Sequence, residues 1–127
     1  MPYQLIWKED SLVQKYVGEI SPDEIMQANN AIYGDPRYDA LRVKIADFSD
    51  ANGDEITQES IQTVASLDKA SSVWNRHLKV AVLAPTVLSP AEMRHYALQY
   101  KEELSTTDWE IDFFSTRQEL DNWLAHK

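Results

Sequence analysis

Apolar and polar residues alternate from Tyr3 to Lys8, with Leu5, Ile6 and Trp7 at the centre, and this short period predicts a strand. Glu9-Asp10 is a polar turn. Leu12 to Val17 reads as a second strand, paired with the first as a hairpin. The period then lengthens. In Ser21-Pro22-Asp23-Glu24, Ser21 caps a helix, Pro22 takes the first helical position and Glu24 completes a capping box. Ile25, Ala28 and Ile32 form the apolar stripe of that helix, and Gly34-Asp35-Pro36 ends it.

Leu41 to Phe48 predicts the third strand, with Asp47 near its end, and Ser49 to Glu55 reads as a polar loop. A second helix opens with Thr57 as cap, and Ile56 and Ile61 stand at hydrophobic-staple spacing. Ile61, Val64, Leu67 or Asp68, Ser71 and Trp74 trace its looser stripe. Leu78 to Pro85 holds an uninterrupted apolar run, the mark of a strand covered on both faces. Ser89-Pro90-Ala91-Glu92 repeats the first helix's start signal, and Met93, Ala97, Tyr100 and Leu104 follow at helical spacing. Trp109 to Phe114 is a fifth strand. Thr116-Arg117-Gln118-Glu119 opens a last helix carrying Leu120, Trp123 and Leu124.

The order ββαβαβαβα predicts an α/β fold, a mixed five-stranded sheet with helices packed on it and right-handed crossovers. With 127 residues, 43% of them apolar, and no linker or repeat, the expectation is one domain spanning residues 1–127.

Charge and residue usage narrow the chemistry. There is no cysteine, so disulfides, thiolate metal sites and a cysteine nucleophile are excluded. The net charge of −9 disfavours nucleic acid and anionic membrane surfaces as partners. No apolar run approaches the roughly 20 residues of a membrane span, and the first residues lack the pattern of a signal peptide. A cytoplasmic protein is expected.

The glycines, Gly18, Gly34 and Gly53, stand far apart, so no phosphate-cradling or dinucleotide fingerprint exists and no cofactor is expected. His77, His95 and His126 lack the i, i+4 spacing of metal ligands. Asp50, Asn52 and Asp54 match the first ligand positions of a calcium-binding EF-hand loop. Glu55 then replaces the required glycine and Ile61 the bidentate glutamate, so the match fails. No nucleophile elbow is present and no enzymatic activity is expected, with an enzyme whose site the sequence does not reveal as the remaining alternative. Trp7, Trp109 and Trp123 lie on amphipathic elements and are expected in the core. Trp74, which closes a helix, is the one expected to be exposed. Tyr96, Tyr100 and Met93 are expected to pack rather than to line a ligand pocket.

The element order resembles the STAS domain family, the SpoIIAA-like fold of anti-sigma-factor antagonists and sulfate-transporter tails. Leu41-Arg42-Val43-Lys44-Ile45-Ala46-Asp47-Phe48-Ser49 looks like that family's apolar strand ending in an acidic residue. The segment to Glu55 and the helix from Thr57 occupy the place of its regulatory loop and helix. Tyr33-Gly34-Asp35-Pro36-Arg37-Tyr38-Asp39 looks like a bacterial branch that pairs STAS-like with SEC14-like lipid-binding folds. The resemblance implies a regulatory module with a protein partner. Its interaction loop would comprise Asp47, Ser49, Asp50, Asn52, Asp54, Glu55 and Thr57. Thr57 or Ser49 would accept a phosphate, although the family's Asp-Ser-Ser-Gly-like motif is missing and the acidic neighbours oppose added charge. The SEC14-like side implies instead a small hydrophobic ligand. A hairpin edge strand also leaves room for a homodimer.

Overall fold

The computed structural model describes residues 3–52, 58–84 and 89–125. Strands β1 (Tyr3–Lys8) and β2 (Ser11–Glu19) form the antiparallel hairpin that their alternation predicts, with Leu5 opposite Gln14 and Trp7 opposite Leu12. Helix α1 (Pro22–Tyr33) and a short 3-10 helix (Pro36–Ala40) lead to β3 (Val43–Asn52). Then follow α2 (Gln58–Ser71), β4 (Lys79–Leu83), α3 (Pro90–Glu103), β5 (Glu110–Phe114) and α4 (Arg117–Ala125). The sheet order is β1-β2-β3-β4-β5, and every pair after the hairpin is parallel.

The helix starts follow from their caps. Ser21 Oγ accepts from the Glu24 amide at 3.3 Å, and Ser89 and Glu92 form a reciprocal capping box at 3.1 and 3.0 Å. Thr116 accepts from the Glu119 amide at 3.2 Å at the start of α4. Each cap satisfies an amide that the first helical turn leaves without an intrahelical partner.

The two sheet faces are covered unequally. Leu5 and Trp7 of β1, Leu12 of β2, Val80 of β4 and Ile111 of β5 share one face with α1, α2 and α3. Helices joining successive parallel strands must all lie on one face when the strand order runs in one direction with a constant crossover hand. Helix α4 follows the last strand, is free of that constraint, and covers the other face. Leu120, Trp123 and Leu124 pack there on Ile45, Ala81, Leu83 and Phe114. This double cover explains the unbroken apolar run of β4. The hairpin end of the second face stays open, and Ile6 and Val17 are exposed there.

Tryptophan placement follows the sequence reading. Trp109 is buried and donates its indole N–H to the Asn75 carbonyl at 2.7 Å, while Trp74 is 67% exposed. Trp7 lies half-buried under the Arg37 guanidinium, 4.3 Å from its ring centre. Trp123 rests against Phe114. Asn75 also donates to the carbonyls of Tyr38 and Leu41 at 2.9 and 2.6 Å, which fastens the 3-10 segment below β3.

The third strand runs further than its alternation suggests. Lys15 pairs with Asp47 but Val17 pairs with Asp50, so Phe48 and Ser49 together oppose Tyr16. This bulge inserts one residue and shifts the side-chain phase, so that Phe48 and Ala51 both join the core on the three-helix face. Ser49, Asp50 and Asn52, read from sequence as loop, belong to β3. Gly18 beside the bulge has φ +75, a left-handed conformation that favours glycine.

Two outcomes are expected. Leu120→Ala, which truncates a fully buried anchor of α4, should cost about 2–5 kcal/mol in urea denaturation. A loss under about 1 kcal/mol would mean that the second face does not need its cover. In an NMR pH titration the Asp35 carboxyl, which accepts hydrogen bonds from the Arg37 side chain and amide, should titrate at about 2. Because that value is depressed, its contribution to stability is present above the ordinary carboxylate range and fades as pH falls toward the folded value. Arg37→Gln should return the titration toward the ordinary range.

Candidate functional site

Ionisable residues usually face water, but one lysine and one aspartate here lie inside the three-helix layer. Lys44 of β3 and Asp68 of α2 are 2% and 1% exposed. Lys44 occupies the inward phase of β3 shared by Ala46 and Phe48. Asp68 stands one helical turn after Val64 on the buried stripe of α2, followed by Ser71. Both charges are therefore carried inward by the same periodicity that buries their apolar neighbours.

Their partners come from α1. The Lys44 ammonium donates to the Tyr33 hydroxyl at 2.8 Å and to Asn29 Oδ1 at 3.2 Å, and it sits 3.6 Å from Asp68 Oδ1. The Tyr33 hydroxyl in turn donates to Asp68 Oδ1. Asn29 and Tyr33 are one turn apart, so a single face of α1 serves the lysine. Gln14 of β2 donates to Asn29 Oδ1 at 3.3 Å and to the Tyr16 hydroxyl at 2.9 Å. Tyr38 donates to Ser71. The network joins β2, β3, α1 and α2.

Burial lowers the Lys44 pKa and raises that of Asp68, and in each case the partner's opposite charge opposes the shift. Burial, followed by the Asp68 charge, pushes the Tyr33 hydroxyl well above the usual tyrosine range, so it remains a donor. Tyr16 is raised for the same reasons, and Tyr38 is pushed up to about 12, chiefly by burial.

Against this network lies a cavity of about 60 Å³. Ile25, Phe48, Ile61, Val64, Val82 and Phe113 supply apolar walls, and Asn29, Lys44 and Asp68 reach it from the network. Asp68 Oδ2 is buried and has no hydrogen-bond partner among the described residues. Leaving such an oxygen unsatisfied costs on the order of 1–3 kcal/mol, and more when it is charged. Tyr100 also lines this cavity, but Met93 lines a separate surface groove of about 300 Å³ and Tyr96 packs in the core. The structure therefore does not bring Met93, Tyr96 and Tyr100 into one pocket.

The expected interaction segment divides. Asp47 is buried at 9% exposure, and its Oδ1 accepts from the Ser49 amide at 2.9 Å and the Ser49 hydroxyl at 2.6 Å. It thus pins the bulge. Ser49 and Asp50 are exposed, and Asp50 pairs with Lys15 at 3.3 Å. The backbone of Asn52 pairs opposite Glu19 at the end of β3. Asp54, Glu55 and Thr57 lie outside the described residues, as does Ile56 of the expected staple. Among the described residues no group of three or more His, Asp or Glu side chains could hold a metal ion. Among the described residues no helix is long and apolar enough to cross a membrane.

A solved structure of the anti-sigma factor antagonist SpoIIAA in its unphosphorylated form matches this chain with a TM-score of 0.59 and 14% identity. The match covers 98% of this chain and 99% of that one. This chain has the SpoIIAA-like fold. No family model and no curated protein matches the sequence.

Sequence reasoning missed the buried network. A signal for Asp68 was present, since it falls on the α2 stripe beside Val64 and Ser71. Asn29, next to the striped Ala28, and Gln14, between Leu12 and Tyr16, gave the same kind of signal. Lys44 gave one as well, since strict alternation with Ala46 and Phe48 points it inward. Which of these meet depends on how the helices dock.

The network's charge balance sets an expected outcome. Lys44→Met leaves Asp68 buried without its cation and should cost about 3–5 kcal/mol in denaturant unfolding. The double variant Lys44→Met/Asp68→Leu should recover much of that loss. The single variant should regain stability as pH falls, because a buried carboxyl with a raised pKa takes up a proton more readily folded than unfolded. Equal losses in the single and double variants would show that the pairing does not matter.

Proposed function

We propose that this chain is a non-catalytic regulatory domain, spanning residues 1–127, that acts in the cytoplasm by binding a protein partner. The observation that supports this reading is the end-to-end likeness to SpoIIAA, an anti-sigma factor antagonist. A binding function also fits the end of β3, where Ser49 and Asp50 are exposed, and the sequence that follows is acidic, with Asp54, Glu55 and Glu59. A partner that docks there presents basic side chains, because an acidic surface speeds encounter with a basic one and repels an acidic one.

Ser49 and Thr57 are the proposed phosphoacceptors. A phosphate on Ser49 would break its hydroxyl bond to Asp47 and place a dianion beside Asp47 and Asp50. Repulsion there would loosen the bulge and change the surface that the partner meets. The lipid-carrier reading has less support. A cavity of about 60 Å³ is far below the roughly 150 Å³ that holds one benzene molecule, so an acyl chain does not fit in it.

The test is affinity capture from host cells with the tagged wild type, Asp50→Lys and Ser49→Glu, each first shown to unfold at the wild-type temperature. One partner should be recovered in stoichiometric amount by the wild type and at least several-fold less by both variants. Recovery that is equal across the three proteins, or no enrichment over an unrelated acidic domain, would defeat the proposal.

A further inference from the structure

We propose that the free edge of β1 pairs with β1 of a second copy of this chain, antiparallel and centred on Leu5, so that two sheets join into one across a two-fold axis. The proposal goes beyond the partner reading above and does not depend on it.

Backbone register decides which groups are free. Glu9-Asp10 is a two-residue turn closed by Lys8 opposite Ser11, so that pair exchanges both backbone hydrogen bonds. Every second residue does the same, and Ile6 and Gln4 turn their amides and carbonyls to β2. Those of Tyr3, Leu5 and Trp7 point away from the sheet, and among the described residues nothing bonds to them. Side chains record the same open edge. Leu5 and Trp7 stay partly exposed, whereas Gln14 and Leu12 opposite them on β2 are buried. Ile6 faces outward at 39% exposure. Edge strands are normally guarded by charge, proline or a bulge. None of these interrupts Tyr3 to Trp7. The other edge of the sheet, β5, is guarded. Glu110 and Asp112 charge it, and Asp112 Oδ1 accepts from the Phe113 amide at 2.9 Å.

The sequence of β1 favours a second copy over an unrelated strand. Its inner-face residues, Tyr3, Leu5 and Trp7, read aromatic, leucine, aromatic in either direction. Antiparallel pairing about Leu5 sets it against the second copy's Leu5 and sets each Tyr3 against the other copy's Trp7. All the outward backbone groups are then used. Cross-strand pairs of aromatic and apolar side chains add to the pairing. On the outer face Gln4 meets the second copy's Ile6, so no like charges stand opposite. The two Lys8 side chains lie about six residues apart along the strands, roughly 20 Å, well beyond the screening length of about 8 Å at physiological salt. A register centred on Ile6 would instead set Tyr3 against Glu9, a turn residue at φ 49, and lose those bonds. An edge contact of this size is small, so the association is weak and depends on concentration.

Sedimentation equilibrium and amide hydrogen exchange of the whole chain test this. The wild type should pass from monomer to dimer as its concentration rises toward millimolar. The Leu5 and Trp7 amides should exchange freely in dilute protein and become protected in concentrated protein, while those of Gln4 and Ile6 are protected in both. Gln4→Lys/Ile6→Lys sets like charges directly opposite across the two-fold axis and should weaken the dimer about tenfold. Gln4→Glu/Ile6→Lys sets opposite charges there and should stay within about threefold of the wild type. Both positions are exposed, and each variant is first shown to melt near the wild-type temperature; the exchange measurement needs neither. A monomer at every concentration would overturn the proposal and leave the edge to a strand of another protein. So would a dimer whose Leu5 and Trp7 amides stay unprotected, or one weakened equally by the two double variants.

Discussion

The charge pair of Lys44 and Asp68, bridged by the Tyr33 hydroxyl, is the constraint around which the three-helix face is arranged. Two unit charges taken out of water are tolerated only when they meet each other in good geometry with their remaining valences satisfied. Here that condition holds only if β3, α1 and α2 dock in one register. A slip of β3 by one residue would turn Lys44 to the opposite face and strand Asp68. A purely apolar layer would accept many neighbouring packings at similar cost, whereas this one penalises all but one. The pair therefore specifies the docking more than it stabilises it.

The same network leaves one valence unfilled. Asp68 spends one oxygen on Lys44 and Tyr33, and the other is buried without a hydrogen-bond partner among the described residues. Two unlike features thus share one layer of the fold. One is a polar knot that joins α1 and α2 to β3. The other is a small, mostly apolar cavity that Asn29, Lys44, Ser60 and Asp68 also line. The exposed end of β3 lies close by, since Phe48 lines the cavity and Ser49 begins the exposed stretch. The bulge held by Asp47 sits between them, and its geometry sets how Ser49 and Asp50 are presented.

Much of the architecture was legible along the chain because it rests on local rules. Alternation marked the strands, capping residues marked the helix starts at Ser21, Ser89 and Thr116, and the unbroken run around Val80 announced a strand covered on both faces. The end of β3 was misread because a bulge breaks the two-residue period at Phe48 and Ser49, and a pattern that loses its period looks like a loop. Asp47, read near the end of the strand and assigned to the interaction loop only through the family resemblance, is buried. It lies on the inward side of that irregularity and spends its carboxylate on Ser49.

Sequence by itself determined the element order, most of the faces that the elements bury, the caps at Ser21, Ser89 and Thr116, and the chemistry that residue types forbid. These are decided by the backbone periods of strands and helices and by neighbours within a few positions. Only the tertiary structure decided that Lys44, Asp68, Tyr33 and Asn29 converge, that Asp68 keeps a free oxygen, and that a cavity opens beside it. Residues 11 to 35 positions apart meet there, through the packing of α1 and α2 on β3. Nothing local encodes that convergence, because it is set by how separate apolar stripes fit together.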